Sequence, residues 1–310
     1  MGGSGGFRNW GHRTIQSRVD TANQDAQAAE FESSIGELFA DYLKNYNDRD
    51  TTLVKDRLDK IKELIADHTD ETVDQNFGGS VSKNTYVDGL SDIDALLILN
   101  NTQMERSPEQ AKTTIAQALA DRLPAGCEVR TGELAVTVTY PDGQEIQLLP
   151  AVKSDNGGFK IQSATRDNSW SSINPRGFQE ALTTRNQQCS GKLVPTIKLV
   201  KAINSGLPEA QQLSGYHIES LAIAAFRNYQ GPRTTAHMVR EFFSKATDLV
   251  RQPIKDSTGQ SVHVDDYLGS ANSGDRQRIS HALSRVYRRI VNATANRDIG
   301  GFRDMFEGNE

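Results

Sequence analysis

The chain has 310 residues and a formal net charge of −5. That length provides for one large or two fused domains with ample core, and the acidic balance excludes a protein built chiefly to coat nucleic acid, which needs a basic excess. Cys127 and Cys189 stand far apart with no Cys or His at ligand spacing, which excludes a disulfide framework and a zinc ribbon and fits reduced thiols. No apolar run approaches the roughly 18 to 20 residues of a membrane span. The opening MGGSGGFRNW lacks an apolar signal core, and Gly6 stands where a myristoylation signal wants Ser or Thr, so the expected compartment is the cytoplasm.

In chain order, Ala29, Phe31, Ile35, Leu38, Phe39, Tyr42 and Leu43 recur at helical spacing and predict a helix from about Asp20 to Tyr46. Leu53, Val54, Leu58, Ile61, Leu64 and Ile65 predict a second over about 51–67. A loop from Asn76 to Thr85 leads to the apolar run "DALLIL", read as a buried strand, and then to a helix around Pro108 to Leu123. "ELAVTVTY" alternates, "PDG" turns and "QEIQLLPAV" returns, which predicts a β-hairpin with Asp142 and Gly143 at its tip. Residues 154–176, rich in Ser, Asn, Gly and Asp, read as a long connection. Beyond it the chain reads as helices over 176–189, 191–205, 213–229, 233–250 and 275–293. The expected architecture is an α/β lobe with leading helices at about 1–165 and an all-helical lobe at about 166–310.

Asp92 and Asp94 stand at the edge of the buried strand. Residues two apart in extended chain share a face, so this pair repels unless something bridges it. A bare D-x-D is also what an acidic turn looks like; its surroundings add a chemical reading. Gly78, Gly79 and Ser80 come about a dozen residues earlier. Glycine lets a phosphate approach the backbone, amides and a hydroxyl hold its oxygens, and carboxylates beyond hold Mg²⁺ bridging the same phosphates. A two-metal reaction needs two or three carboxylates around ions about 3.5 to 4 Å apart. Asp92 and Asp94 supply two, and the returning hairpin arm is the place for a third.

G-S, then D-I-D before an apolar strand, then a strand ending L-L-P-A, resembles the polymerase-β-like nucleotidyltransferases. Within them the chain is most similar to the cyclic GMP-AMP synthase and oligoadenylate synthase group and its bacterial relatives, the CD-NTases. "IKLVKAIN" followed by "LSGYHIESLAIAAF" is similar to that family's helix ending K-x-W-N and its L-S-S-Y-H-x-E motif. The resemblance covers about residues 76–226. It implies a nucleotidyltransferase lobe with a mixed sheet, and a helical lobe after it. It implies Gly79, Ser80, Lys201 and Ser214 against the phosphates, Tyr216 against a base, and Asp92 and Asp94 on Mg²⁺ or Mn²⁺. The family often has a third aspartate three residues before the proline of L-P-A, where this chain has Gln147. Glu145, two residues earlier on the same face and one methylene longer, is the expected replacement; without it the site keeps two carboxylates and binds nucleotide with little turnover. Ile203 replaces the family's tryptophan, and Gly215 replaces its second serine, which removes one phosphate contact.

The resemblance further implies that ATP or other nucleoside triphosphates are joined into a short cyclic second messenger, in a bacterial antiphage setting with a separate effector and a protein activator. Template-free synthesis of linear oligomers, nucleotide transfer to a macromolecule, and a catalytically weak nucleotide-binding module remain the alternatives. The remaining polar residues read more simply. Lys83 and Asn84 are expected to be solvated, Asp88 to cap a turn, and His217 to be a hydrogen-bonded packing residue. Arg276, Arg278, Arg285, Arg288 and Arg289 are expected to form a solvated helix face, with long nucleic acid unlikely as a partner.

Overall fold

The computed structural model describes residues 15–46, 51–69, 73–77, 85, 87, 93–99, 107–120, 122–154, 158–163, 168–255 and 264–307. Two helices lead the chain, α1 (Ile15–Asn45) and α2 (Thr51–Thr69), close to their predicted limits. Next come strands β1 (Val73–Phe77) and β2 (Ile93–Leu99), helix α3 (Pro108–Ala120), and strands β3 (Glu128–Thr131), β4 (Val136–Thr139) and β5 (Glu145–Lys153). The sheet runs β1-β2-β5-β4-β3. Its described pairings are antiparallel apart from β2 with β5, which run parallel across the crossover that includes α3. The predicted hairpin joins β4 to β5; Gly143 has φ +84°, a conformation that favours glycine.

Period-2 alternation sorts the sheet's faces. Val136, Val138, Ile146 and Leu148, with Ala95, Leu97 and Leu99, pack beneath Leu58, Ile61 and Ile65 of α2 and Ile115 and Leu119 of α3. Thr137, Thr139, Glu145 and Gln147 fall on the opposite, less buried face. Arg57 of α2 ties that packing to the hairpin tip. Its guanidinium lies 4.0 Å from the Tyr140 ring centroid and donates to Asp142 Oδ2 (2.7 Å) and Gln144 Oε1 (2.6 Å).

Residues 154–176 are more than a connection. They carry β6 (Phe159–Gln162), antiparallel to the end of β5, and β7 (Trp170–Ile173), antiparallel to β6. Each strand is four residues of mixed polarity, too short to show its own alternation. The edge of β5, with Ala151 facing Ile161, templates them. β1 and β3, "VDQNF" and "EVRT", are likewise extended because a neighbour pairs with them rather than by propensity.

The second core lies among α4 (Pro175–Gln188), α5 (Leu193–Ser205), α6 (Gly215–Ala225), α7 (Thr235–Leu249), α8 (Gly274–Asn296) and α9 (Ile299–Glu307). Four of these starts are capped by a side chain accepting from a backbone N–H: Asn174, Ser214, Thr234 and Ser273. α1 also belongs to this core: Ile35 and Phe39 are buried in it. The Phe39 ring meets Phe302 and Phe306 of α9 at 6.0 and 5.6 Å, and Tyr42 stacks on Phe306 at 4.4 Å. The first helix therefore closes against the last one, across the proposed lobe division.

Of the α8 arginines, Arg276 departs from the solvated face expected of it. Positions 276, 279, 283, 286 and 290 follow one helical stripe, so Arg276 shares the buried side with Ile279, Leu283, Val286 and Ile290 and is fully buried. Its guanidinium donates to Asp265 Oδ2 (2.6 Å) and to the carbonyls of Val250 (3.0 Å) and Gly269 (3.0 Å). That full set of partners makes a buried cation tolerable. Both cysteines are free thiols, and burial pushes their pKa values up. Among the described residues no helix is long and apolar enough to cross a membrane.

Candidate active site

Gly79, Ser80 and Asp92 lie outside the described residues, as do Lys83, Asn84 and Asp88. Asp94 is placed by the sheet register. It stands opposite Gln147 on the parallel strand β5, and Gln147 in turn stands opposite Thr137 on β4 and Thr137 opposite Arg130 on β3. A single row thus crosses four strands, so the position expected to carry the third carboxylate is the direct neighbour of Asp94. Here it holds an amide.

Glu145 sits two residues before Gln147, on the same face of β5 and opposite Thr139. Its Oε1 accepts from Arg130 Nη2 (2.9 Å) and from the Thr139 hydroxyl (2.9 Å). Both contacts fall on Oε1; Oε2 takes none among the described residues. Arg130 is a residue that sequence reasoning passed over. "EVRT" has no motif, and only the β3–β4–β5 register carries its side chain across to Glu145.

The helical lobe assembles a second set. Lys201 on α5 is 7% exposed and Glu219 on α6 is 1% exposed; their Nζ and Oε1 are 2.8 Å apart. Lys201 Nζ also donates to the Thr85 carbonyl (3.0 Å), and the Thr85 hydroxyl donates to Glu219. A Cβ built on Gly215 would stand 3.4 Å from Lys201 Nζ, so the ammonium rests against the first turn of α6. Ser214 is the N-cap of that helix and accepts from the His217 N–H (3.2 Å). Its own N–H donates to the Tyr267 hydroxyl (3.3 Å), which lies 2.9 Å from His217 Nδ1. Tyr216 remains 37% exposed, its ring tilted against Phe178 at 4.6 Å. His217 is fully buried, which suits the packing role expected of it; burial pushes its pKa down to about 4, opposed by Asp265 and reinforced by Arg276.

The fold therefore joins Asp94, Gln147 and Glu145 on one sheet face, and Lys201, Ser214 and Gly215 at one helix start. Thr85, in the chain between the Gly-Ser loop and β2, links the second group to the α/β lobe. Glu219 and Thr85 went unassigned in the sequence because nothing local pairs residues 134 apart. The available signals were the E of the L-S-S-Y-H-x-E motif, which falls on Glu219, and its place in the largely apolar stretch "HIESLAIAA".

The comparisons with known proteins bear on this arrangement. Residues 34–186 match the family model described as the Second Messenger Oligonucleotide or Dinucleotide Synthetase domain. The chain carries a CD-NTase domain. Solved structures of similar fold include the Bradyrhizobium diazoefficiens CD-NTase CdnG in complex with GTP, with TM-score 0.67 and 12% identity, covering 83% of this chain and 89% of that one. Vibrio cholerae DncV cyclic AMP-GMP synthase, in complex with a linear intermediate, has TM-score 0.62 and 10% identity over 94% of this chain and 90% of that one. The Escherichia coli MS115-1 CdnC:HORMA-deltaN complex follows at TM-score 0.59 and 13% identity, covering 81% and 89%. A comparison with curated proteins gives no match. At these identities the structural likeness concerns the fold: a CD-NTase nucleotidyltransferase lobe joined to a helical lobe.

Proposed function

We propose that this CD-NTase joins nucleoside triphosphates into a short cyclic oligonucleotide second messenger with release of pyrophosphate, using divalent metal ions held by Asp92, Asp94 and Glu145. The observation that carries the reading is the parallel β2–β5 register, which sets Asp94 beside Gln147 on the row next to Glu145. The donor chemistry fits Mg²⁺ or Mn²⁺, since carboxylate oxygens suit hard divalent cations and Glu145 keeps Oε2 clear of the Arg130 and Thr139 contacts. Ions held by these carboxylates would supply the positive charge that lowers the pKa of an attacking hydroxyl and offsets the charge of the leaving pyrophosphate.

The chain's own residues do the positioning. Gly79, Ser80, Ser214 and Lys201 take the triphosphate oxygens, aided by the positive end of the α6 dipole. Tyr216, exposed and supported by Phe178, offers a ring face to a base. The similar proteins solved with GTP, with a linear intermediate and with a HORMA protein support triphosphate substrates and a protein activator. The biological setting proposed is cytoplasmic, bacterial antiphage signalling, in which the product acts on a separate effector.

The test is incubation with four ribonucleotides, or four deoxynucleotides, and Mg²⁺ or Mn²⁺, then phosphatase treatment and mass spectrometry. A phosphatase-resistant cyclic species absent from Asp92→Ala, Asp94→Ala protein is the expected result; equal synthesis by that variant refutes the reading. Gln147 beside Asp94 favours one second reading, a nucleotide-binding module of weak turnover. Calorimetric ATP·Mg²⁺ binding without pyrophosphate release would select it.

A further inference from the structure

Lys201 lies in a helix, "LVPTIKLVKAINS", that contains no acidic residue, and ten of its thirteen positions are buried. Lys201 has only 7% exposure through which to reach water. Its ammonium also sits against Gly215, in the first turn of α6. The positive end of a helix dipole lies there, where a cation is disfavoured and an anion welcome. Glu219, one helical turn along α6, places a carboxylate oxygen 2.8 Å from Lys201 Nζ. The same carboxylate accepts from the Thr85 hydroxyl, and Lys201 donates to the Thr85 carbonyl. One buried carboxylate therefore meets both the Lys201 ammonium and the Thr85 hydroxyl.

Packing alone does not call for this pair. A buried ion pair is often no more stabilising than well-packed apolar side chains of similar volume, whereas removing one partner leaves a costly lone charge. What the pair accomplishes is to fix the Lys201 side chain beside the start of α6, where the helix dipole favours anions. We propose that Glu219 is a positioning residue for triphosphate binding: it holds the Lys201 ammonium at the start of α6, so that ammonium and helix amides act on the same phosphate oxygens. This inference rests on the functional reading above, in which Lys201 meets the triphosphate.

The experiment is calorimetric titration with two probes, ATP·Mg²⁺ and inorganic tripolyphosphate·Mg²⁺, on the full chain, its Glu219→Gln variant and its Tyr216→Ala variant, each checked for a cooperative melt. Glu219→Gln should weaken both probes by the same factor, about tenfold or more, the scale of one hydrogen bond to a charged group. Tyr216→Ala should weaken ATP alone. Against a Lys201→Met background, Glu219→Gln should cost nothing further, because Glu219 acts through Lys201. Should Glu219→Gln fail to fold, Glu219→Asp, which keeps the charge but draws it back by a methylene, should show the same loss in both probes to a smaller extent. A folded Glu219 variant that binds tripolyphosphate as well as or better than the parent overturns the proposal, as does ATP binding without tripolyphosphate binding. A parent protein that binds neither probe overturns the functional reading along with it, so the two failures are told apart by the unmodified chain.

Discussion

Replacing His217 by Gln should flatten the acid limb of the stability curve. The ring is fully buried between the Tyr267 hydroxyl at 2.9 Å and Asp265 Oδ2 at 3.6 Å, with Arg276 behind that carboxylate. Desolvation holds the ring neutral until about pH 4, against an ordinary value of 6.5; Asp265 opposes the shift and Arg276 adds to it. Between those two pH values the unfolded chain binds a proton that the folded chain refuses. Stability therefore rises with pH through this window, is essentially complete above about pH 6.5, and is lost as pH falls towards 4. A separation of about 2.5 pH units corresponds to about 3 kcal/mol, of which about 2 kcal/mol is gone by pH 5. Urea unfolding of parent and His217→Gln protein at pH 7, 6, 5 and 4.5 measures it. The parent should lose about 2 kcal/mol more than the variant between pH 7 and 5. Parallel slopes, or an imidazole that titrates near 6.5 by NMR in the folded protein, would refute the reasoning.

Phe39→Ala should cost about 3 to 5 kcal/mol in urea unfolding, because the ring is 1% exposed and meets Phe302 and Phe306; a loss below about 1 kcal/mol would mean that α1 is not docked on α9. At the sheet, Gln147→Asp adds a carboxylate beside Asp94, and calorimetry should show Mg²⁺ or Mn²⁺ bound on the order of tenfold more tightly, while Glu145→Gln should weaken it by a similar factor. An unchanged affinity in Glu145→Gln would remove Glu145 from the ligand set and leave its carboxylate to Arg130 and Thr139.

Much of the fold was legible because its signals are local. The stripe Ile35, Leu38, Phe39, Tyr42 identifies a helix whatever it packs against, and "VTVTY-PDG-QEIQL" encodes both arms of a hairpin and its turn within a few residues. β1, β3, β6 and β7 were not legible, because four or five residues of mixed polarity become strands when a partner edge supplies hydrogen bonds, and that edge is distant in sequence. α1 showed an apolar face but not its partner, which is α9 at the other end of the chain.

The site divides the same way. The D-x-D pair, the Gly-Ser loop, the L-L-P-A strand and the L-S-G-Y-H turn are short, ordered motifs, and the sequence by itself determined their presence, their order and the departure at Gln147. Only the tertiary structure decided that Gln147 lies directly across from Asp94, that Glu145 is shared with Arg130, that Arg276 is a core residue, and that Lys201 is paired with Glu219 and Thr85. Each of these depends on strand register or on helix packing between residues far apart in the chain. Charge acts through space over a few ångströms, and the distances that decide a carboxylate's partner exist only after the chain has folded.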